Sequence, residues 1–108
     1  MEVPAQLRTV LAELRERLTR LYGERLSALV LYGSQAHGDA DEGSDIDVMV
    51  VLEGPVEPMA EIRRTGDDVA DLSLEHNVVV ACFFVSREQF ERERSPLLIN
   101  ARREGVAV

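Results

Sequence analysis

Leu26-Ser27-Ala28-Leu29-Val30-Leu31-Tyr32-Gly33-Ser34 and, after a loop, Ser44-Asp45-Ile46-Asp47-Val48-Met49-Val50-Val51-Leu52 are the stretches that decide the fold of this chain. Each contains an apolar run of strand length, and each run is joined to small or acidic residues. Leu26–Tyr32 reads as a central strand running straight into Gly33, so Gly33 and Ser34 fall at a strand-to-helix junction. Backbone amides at a short helix N-terminus hold phosphate oxygens, and glycine permits close approach. The second run reads as a buried strand opened by two carboxylates at i and i+2. Alternate strand residues share a face, so Asp45 and Asp47 should project together. Side by side they repel unless a cation lies between them. Hard oxygen ligands beside a phosphate cradle point to Mg²⁺ carrying a nucleoside triphosphate.

The rest of the chain supports this arrangement. Leu7, Val10, Leu11, Leu14, Leu18 and Leu21 recur at helical spacing with Arg and Glu between them, predicting a helix from about Pro4 to Tyr22 that Gly23 stops. Beyond Gly54, Pro55 and Pro58, the positions Ile62, Val69, Leu72 and His76 suit a helix packed on the sheet. Gly66 weakens that helix and Asn77 ends it. Val78–Val85 is continuously apolar and fits a strand covered on both faces. Arg87–Glu93 and Leu97–Arg103 read as short helices around Ser95-Pro96. The order is αβαβαβα.

Composition bounds the function. The chain has 108 residues, enough for one domain spanning 1–108, and 45% of them are hydrophobic, enough for a real core. A net charge of −8, from 12 basic and 20 acidic residues, argues against free-standing nucleic-acid binding. Every basic residue is Arg, so a Lys-containing phosphate loop is excluded. The single cysteine, Cys82, lies inside an apolar run and reads as a buried small hydrophobe. No apolar stretch approaches the roughly 20 residues that cross a bilayer, and the N-terminus lacks a signal pattern, so a cytoplasmic protein is expected.

On Gly33, Ser34, Asp45, Ile46, Asp47 and Val48, within Gly-Ser-x-Ala-x-Gly followed by Ser-Asp-Ile-Asp, the chain resembles the nucleotidyltransferase superfamily of DNA polymerase β, specifically its minimal, MNT-type members. The resemblance extends over roughly residues 5 to 105. It implies an α/β (α+β) core with a three-stranded mixed sheet backed by helices. It also implies Mg²⁺-dependent transfer of a nucleoside monophosphate, ATP being the expected donor, to a hydroxyl such as a partner protein's tyrosine. Asp45 and Asp47 would be the catalytic metal ligands, and Gly33 and Ser34 would bind the phosphates. A HEPN-type helical protein is the implied partner, and a small exposed sheet edge leaves self-association open.

Two departures support a second reading, a weak or inactive subunit acting as an antitoxin-like binding partner. Active relatives usually place a third carboxylate on the third strand, where this chain has no acid and Ala81 takes the matching slot; Asp71, Glu75 or Glu88 are the possible substitutes. His37 stands where many relatives carry Arg, a stronger partner for phosphate. Plainer roles also stand beside the sharper ones: Ser34 as a helix cap, Gly38 and Gly43 as turn glycines, His37 as an exposed loop histidine, Asp39, Asp41 and Glu42 as solvated loop acids, and Tyr32 at the rim of the core.

Overall fold

The computed structural model of the chain describes residues 4–33 and 45–108. Helix α1 (Ala5–Tyr22) ends at Gly23, and a 3-10 turn (Gly23–Arg25) leads into strand β1 (Leu26–Tyr32). Strand β2 (Ile46–Leu52) is followed by helix α2 (Pro58–His76) and strand β3 (Val80–Ser86). Helices α3 (Arg87–Arg92) and α4 (Pro96–Glu104) precede a two-residue strand β4 (Val106–Ala107).

The sheet is mixed, with strand order β3-β2-β1-β4. β1 pairs antiparallel with β2, and β2 pairs parallel with β3, the connection that α2 provides. The expected fold class holds, with a fourth strand added to the expected three. β4 runs antiparallel to β1, placing Val106 opposite Leu31 and Ala107 opposite Val30. Gly105 makes that approach possible, because a Cβ there would run into the Ala101 carbonyl and the Val30 side chain.

Strand alternation sends side chains to two cores. Leu29, Leu31, Ile46, Val48, Val50, Leu52, Val80 and Phe84 pack on one face beneath α1 and α2. On the other face Val30, Met49 and Val51 meet Val85, Leu98 and Ala101, with Tyr32 and Phe90 at the edge. The shorter helices α3 and α4 cover this second face only in part. β3 is therefore not the doubly covered strand expected from its apolar run: it is an edge strand, and Phe83 is 43% exposed.

Helix α2 runs unbroken through the solvent-exposed Gly66 and stops at Asn77, which adopts a positive φ of 52°. Its inward face differs from the expected one. Ile62 is exposed, and Glu61, Thr65 and Leu72 are buried. The buried Glu61 carboxylate is tolerated because the Tyr22 hydroxyl donates to it at 2.7 Å and Arg64 stands 3.7 Å away. Burial first, then the bond to Glu61, pushes the Tyr22 phenol up. No helix among the described residues is long and apolar enough to cross a membrane.

Candidate active site

The site forms where β1 ends and β2 begins. Ile46 turns into the α1–α2 core at 3% exposure, so its neighbours Asp45 and Asp47 face the opposite side. Asp45 is exposed just ahead of the strand, and Asp47 is half-buried within it. Asp47 lies opposite Tyr32 on β1 and in register with Ala81 on β3. At the first residue of β2, the Ile46 amide donates to the Val79 carbonyl at 2.8 Å, fixing the strand start that the two acids flank.

Gly33 closes the site from the β1 side with a φ of 74°. A Cβ at Gly33 would stand 2.8 Å from Asp47 Oδ2, so the carboxylate packs directly against this backbone. The glycine thus makes room for Asp47 as well as for any phosphate. Gly33→Ala is expected to cost about 1–2 kcal/mol of stability through the positive φ alone. It is also expected to displace the Asp47 carboxylate and weaken Mg²⁺-nucleotide binding beyond what that loss explains. Thermal melting and calorimetry on the same variant check both effects.

The electrostatics are those of two neighbouring acids with no counter-charge among the described residues. Among the described residues neither the Asp45 nor the Asp47 carboxylate has a hydrogen-bond or ion-pair partner. Burial first, and the Asp45 charge second, hold the Asp47 carboxyl above its usual range. Burial and then the Asp47 charge likewise raise the Tyr32 phenol. A divalent cation would relieve this repulsion. Two hard oxygen donors suit Mg²⁺, which takes its remaining ligands from phosphates and water.

The other expected positions divide clearly. Ser34, His37, Gly38 and Gly43, with the loop acids Asp39, Asp41 and Glu42, lie outside the described residues. Asp71 and Glu75 are on α2 across the sheet, where both face Arg17. Glu88 sits on α3 beyond the far end of β3, facing Arg92. None of the three stands beside Asp47. Cys82 turns to the α1–α2 core, and burial pushes its thiol up to about 12, as befits an inert side chain. The neighbour that sequence reasoning left at the rim is Tyr32. Its place beside Asp47 follows from antiparallel pairing of the two strands around the loop. A cavity of about 500 Å³ lies at the opposite end of the sheet, lined by Glu53, Arg87, Glu88 and Glu91 among others. There Arg87 bridges Glu53 at 2.9 Å and Glu91 at 3.0 Å, so its charges are already matched.

A sequence model of the nucleotidyltransferase domain matches residues 11–104. The chain belongs to the nucleotidyltransferase domain family. A relative from Methanocaldococcus jannaschii, named as a protein adenylyltransferase (MJ0141), is 24% identical over 72 residues, covering 67% of this chain and 72% of the relative. Among solved structures, one named as a nucleotidyltransferase from Sulfolobus solfataricus superposes with a TM-score of 0.57 at 20% identity, covering 94% of this chain and 80% of that one. A toxin–antitoxin MntA–HpeT structure superposes with a TM-score of 0.57 at 19% identity, covering 90% and 70%. A toxin–antitoxin structure with AMP-PNP gives 0.56 at 20% identity, covering 86% and 68%. At these identities the structural likeness establishes the nucleotidyltransferase fold.

Proposed function

We propose that this nucleotidyltransferase domain moves a nucleoside monophosphate from a nucleoside triphosphate, ATP in the first instance, to a hydroxyl acceptor with release of pyrophosphate. The observation that carries this reading is a pair of carboxylates without a partner among the described residues, Asp45 just ahead of β2 and Asp47 within it, with the Gly33 backbone packed against the second. Asp45 and Asp47 would hold Mg²⁺, which when bound offsets the charge of the triphosphate. Gly33 and Ser34 would cradle the β and γ phosphates at the end of β1. The rate would come mainly from holding donor and acceptor in line. The M. jannaschii relative's name favours a protein acceptor, for which the resemblance supplies the hydroxyl of a partner's tyrosine. The toxin–antitoxin neighbours favour a protein partner, for which the resemblance supplies a HEPN-type helical protein. The cytoplasm supplies both Mg²⁺ and nucleotide.

A second reading rests on Ala81. It stands in register with Asp47, where active relatives are expected to carry the third carboxylate, and no other described acid stands there. On this reading the domain binds Mg²⁺-nucleotide and a partner but turns over slowly or not at all. Isothermal calorimetry with ATP, Mg²⁺ and the two together tests what both readings share. The expected result is much tighter binding of the pair, because the phosphates complete the metal's shell. Equal ATP affinity with and without Mg²⁺ would overturn the site. Pyrophosphate release in the presence of a partner protein then separates the two readings.

A further inference from the structure

Across the sheet from the aspartate pair, α1 and α2 bring together a second set of ligand atoms of a different chemical kind. Glu13 on α1 and Glu75 and His76 at the end of α2 place one ligand atom each within 4.8 Å of one another. We propose that Glu13, Glu75 and His76 form a transition-metal site, suited to Zn²⁺, that clasps α1 to α2.

The donor set carries the choice of metal. An imidazole nitrogen with two carboxylates is a combination that Zn²⁺ accepts, whereas Mg²⁺ prefers oxygen alone. The aspartate pair offers only carboxylate oxygen. The two sites therefore divide metals by hardness, and they share no residue.

Local geometry and charge fit a cation. His76 Nε2 and Glu13 Oε2 are 2.5 Å apart, so two of the three ligand atoms already meet. Two ligands on one zinc, each bonded at about 2.0–2.2 Å, stand roughly 3.3 Å apart in tetrahedral geometry. A small opening of the pair, with the imidazole proton carried on Nδ1, would leave Nε2 free for the metal. Glu13 has the freedom for it, its side chain being 37% exposed. His76 is the fixed partner at 17%, with its carbonyl accepting from the Gln6 side chain at 3.5 Å. Charge is unbalanced here. Arg17 faces Asp68 at 3.3 Å, Glu75 at 3.7 Å and Asp71 at 3.9 Å, one guanidinium among three carboxylates. Glu75 could turn to a metal while Arg17 kept the two aspartates. With three protein ligands, the fourth position would fall to water. Because α1 and α2 bury their apolar faces against the same core, a metal between them would tighten packing without touching the catalytic face.

The test uses the full chain carrying Asp47→Asn, so that zinc binding at the aspartate pair does not mask the result. Zn²⁺ titrated into that protein is expected to bind one equivalent and raise the melting temperature, and Co²⁺ is expected to give the visible absorption of a low-symmetry site. Adding Glu75→Gln, an exposed change that spares the fold, should weaken Zn²⁺ by about ten-fold or more. Adding His76→Asn should abolish the melting shift. His37, the chain's other histidine, serves as the control, and His37→Asn should leave both results unchanged. Absence of saturable Zn²⁺ binding in the Asp47→Asn protein would overturn the proposal, as would binding indifferent to Glu75→Gln and His76→Asn. Neither result would bear on nucleotide binding at the aspartate pair.

Discussion

Asp47→Asn is expected to abolish Mg²⁺-dependent nucleotide binding while leaving the melting temperature of the ligand-free protein unchanged or higher. The amide keeps the shape that packs against Gly33 and removes the charge that would hold the cation. In the ligand-free protein that charge is a liability, since burial and the Asp45 charge both oppose it. The same reasoning sets a pH dependence. A carboxyl whose folded-state pKa is raised keeps a proton that the unfolded chain has released, so stability increases as pH falls through the folded-state value and levels off below the unfolded one. The difference in melting temperature between wild type and Asp47→Asn, measured without ligand from neutral pH into the acid range, should shrink as pH falls. A variant that melts well below wild type at neutral pH would make Asp47 a structural residue, and the ligand reading would fail.

Ala81→Asp is expected to act in the opposite sense. Ala81 is half-buried, in register with Asp47, and parallel pairing puts both side chains on the same sheet face. A third carboxylate there adds like-charge repulsion to a partly desolvated acid, a cost of about 1–2 kcal/mol. For a domain of this size that is a drop in melting temperature of roughly 5–10 °C. Mg²⁺ should recover most of it, its affinity should rise above wild type, and pyrophosphate release with a hydroxyl acceptor should increase. Melting with and without Mg²⁺ and a pyrophosphate assay measure these outcomes. If the variant is destabilised and Mg²⁺ restores nothing, then the slot on β3 does not look onto the metal, and the absent third acid explains nothing about activity.

Much of the fold was legible because its signals are local. The apolar face of α1, the stop at Gly23, the bounds of β1 and the left-handed Asn77 all follow from periodicity and single-residue backbone preference. What escaped depends on neighbours distant in sequence. Leu21 shares the helical spacing yet is 38% exposed, while Tyr22 is buried so that its hydroxyl can reach Glu61. Ile62 faces outward for a related reason, since the inward face of α2 is taken by Glu61 and Thr65. β4 is two residues long, below what any periodicity reveals, and exists because Leu31 and Val30 offer an edge. The apolar run of β3 suggested burial on both faces, but composition does not report that the helices beyond it stop short. In the site, spacing alone placed Asp45 and Asp47 on one face. Tyr32 beside Asp47, and Asp71 and Glu75 across the sheet, became visible only with the strand pairing and the seat of α2.

Cys82 gives the edge position of β3 an experimental use. It is the chain's only thiol, tucked toward the α1–α2 core on an edge strand, with its pKa pushed up to about 12. At neutral pH a thiol reagent meets almost no thiolate in the closed sheet, so alkylation is slow there and speeds up when that strand lifts away. The labelling rate is thus a chemical clock for local opening, read without a mutation or a probe. It offers a direct way to ask whether a ligand held on one side of the sheet quiets the motion of its outermost strand.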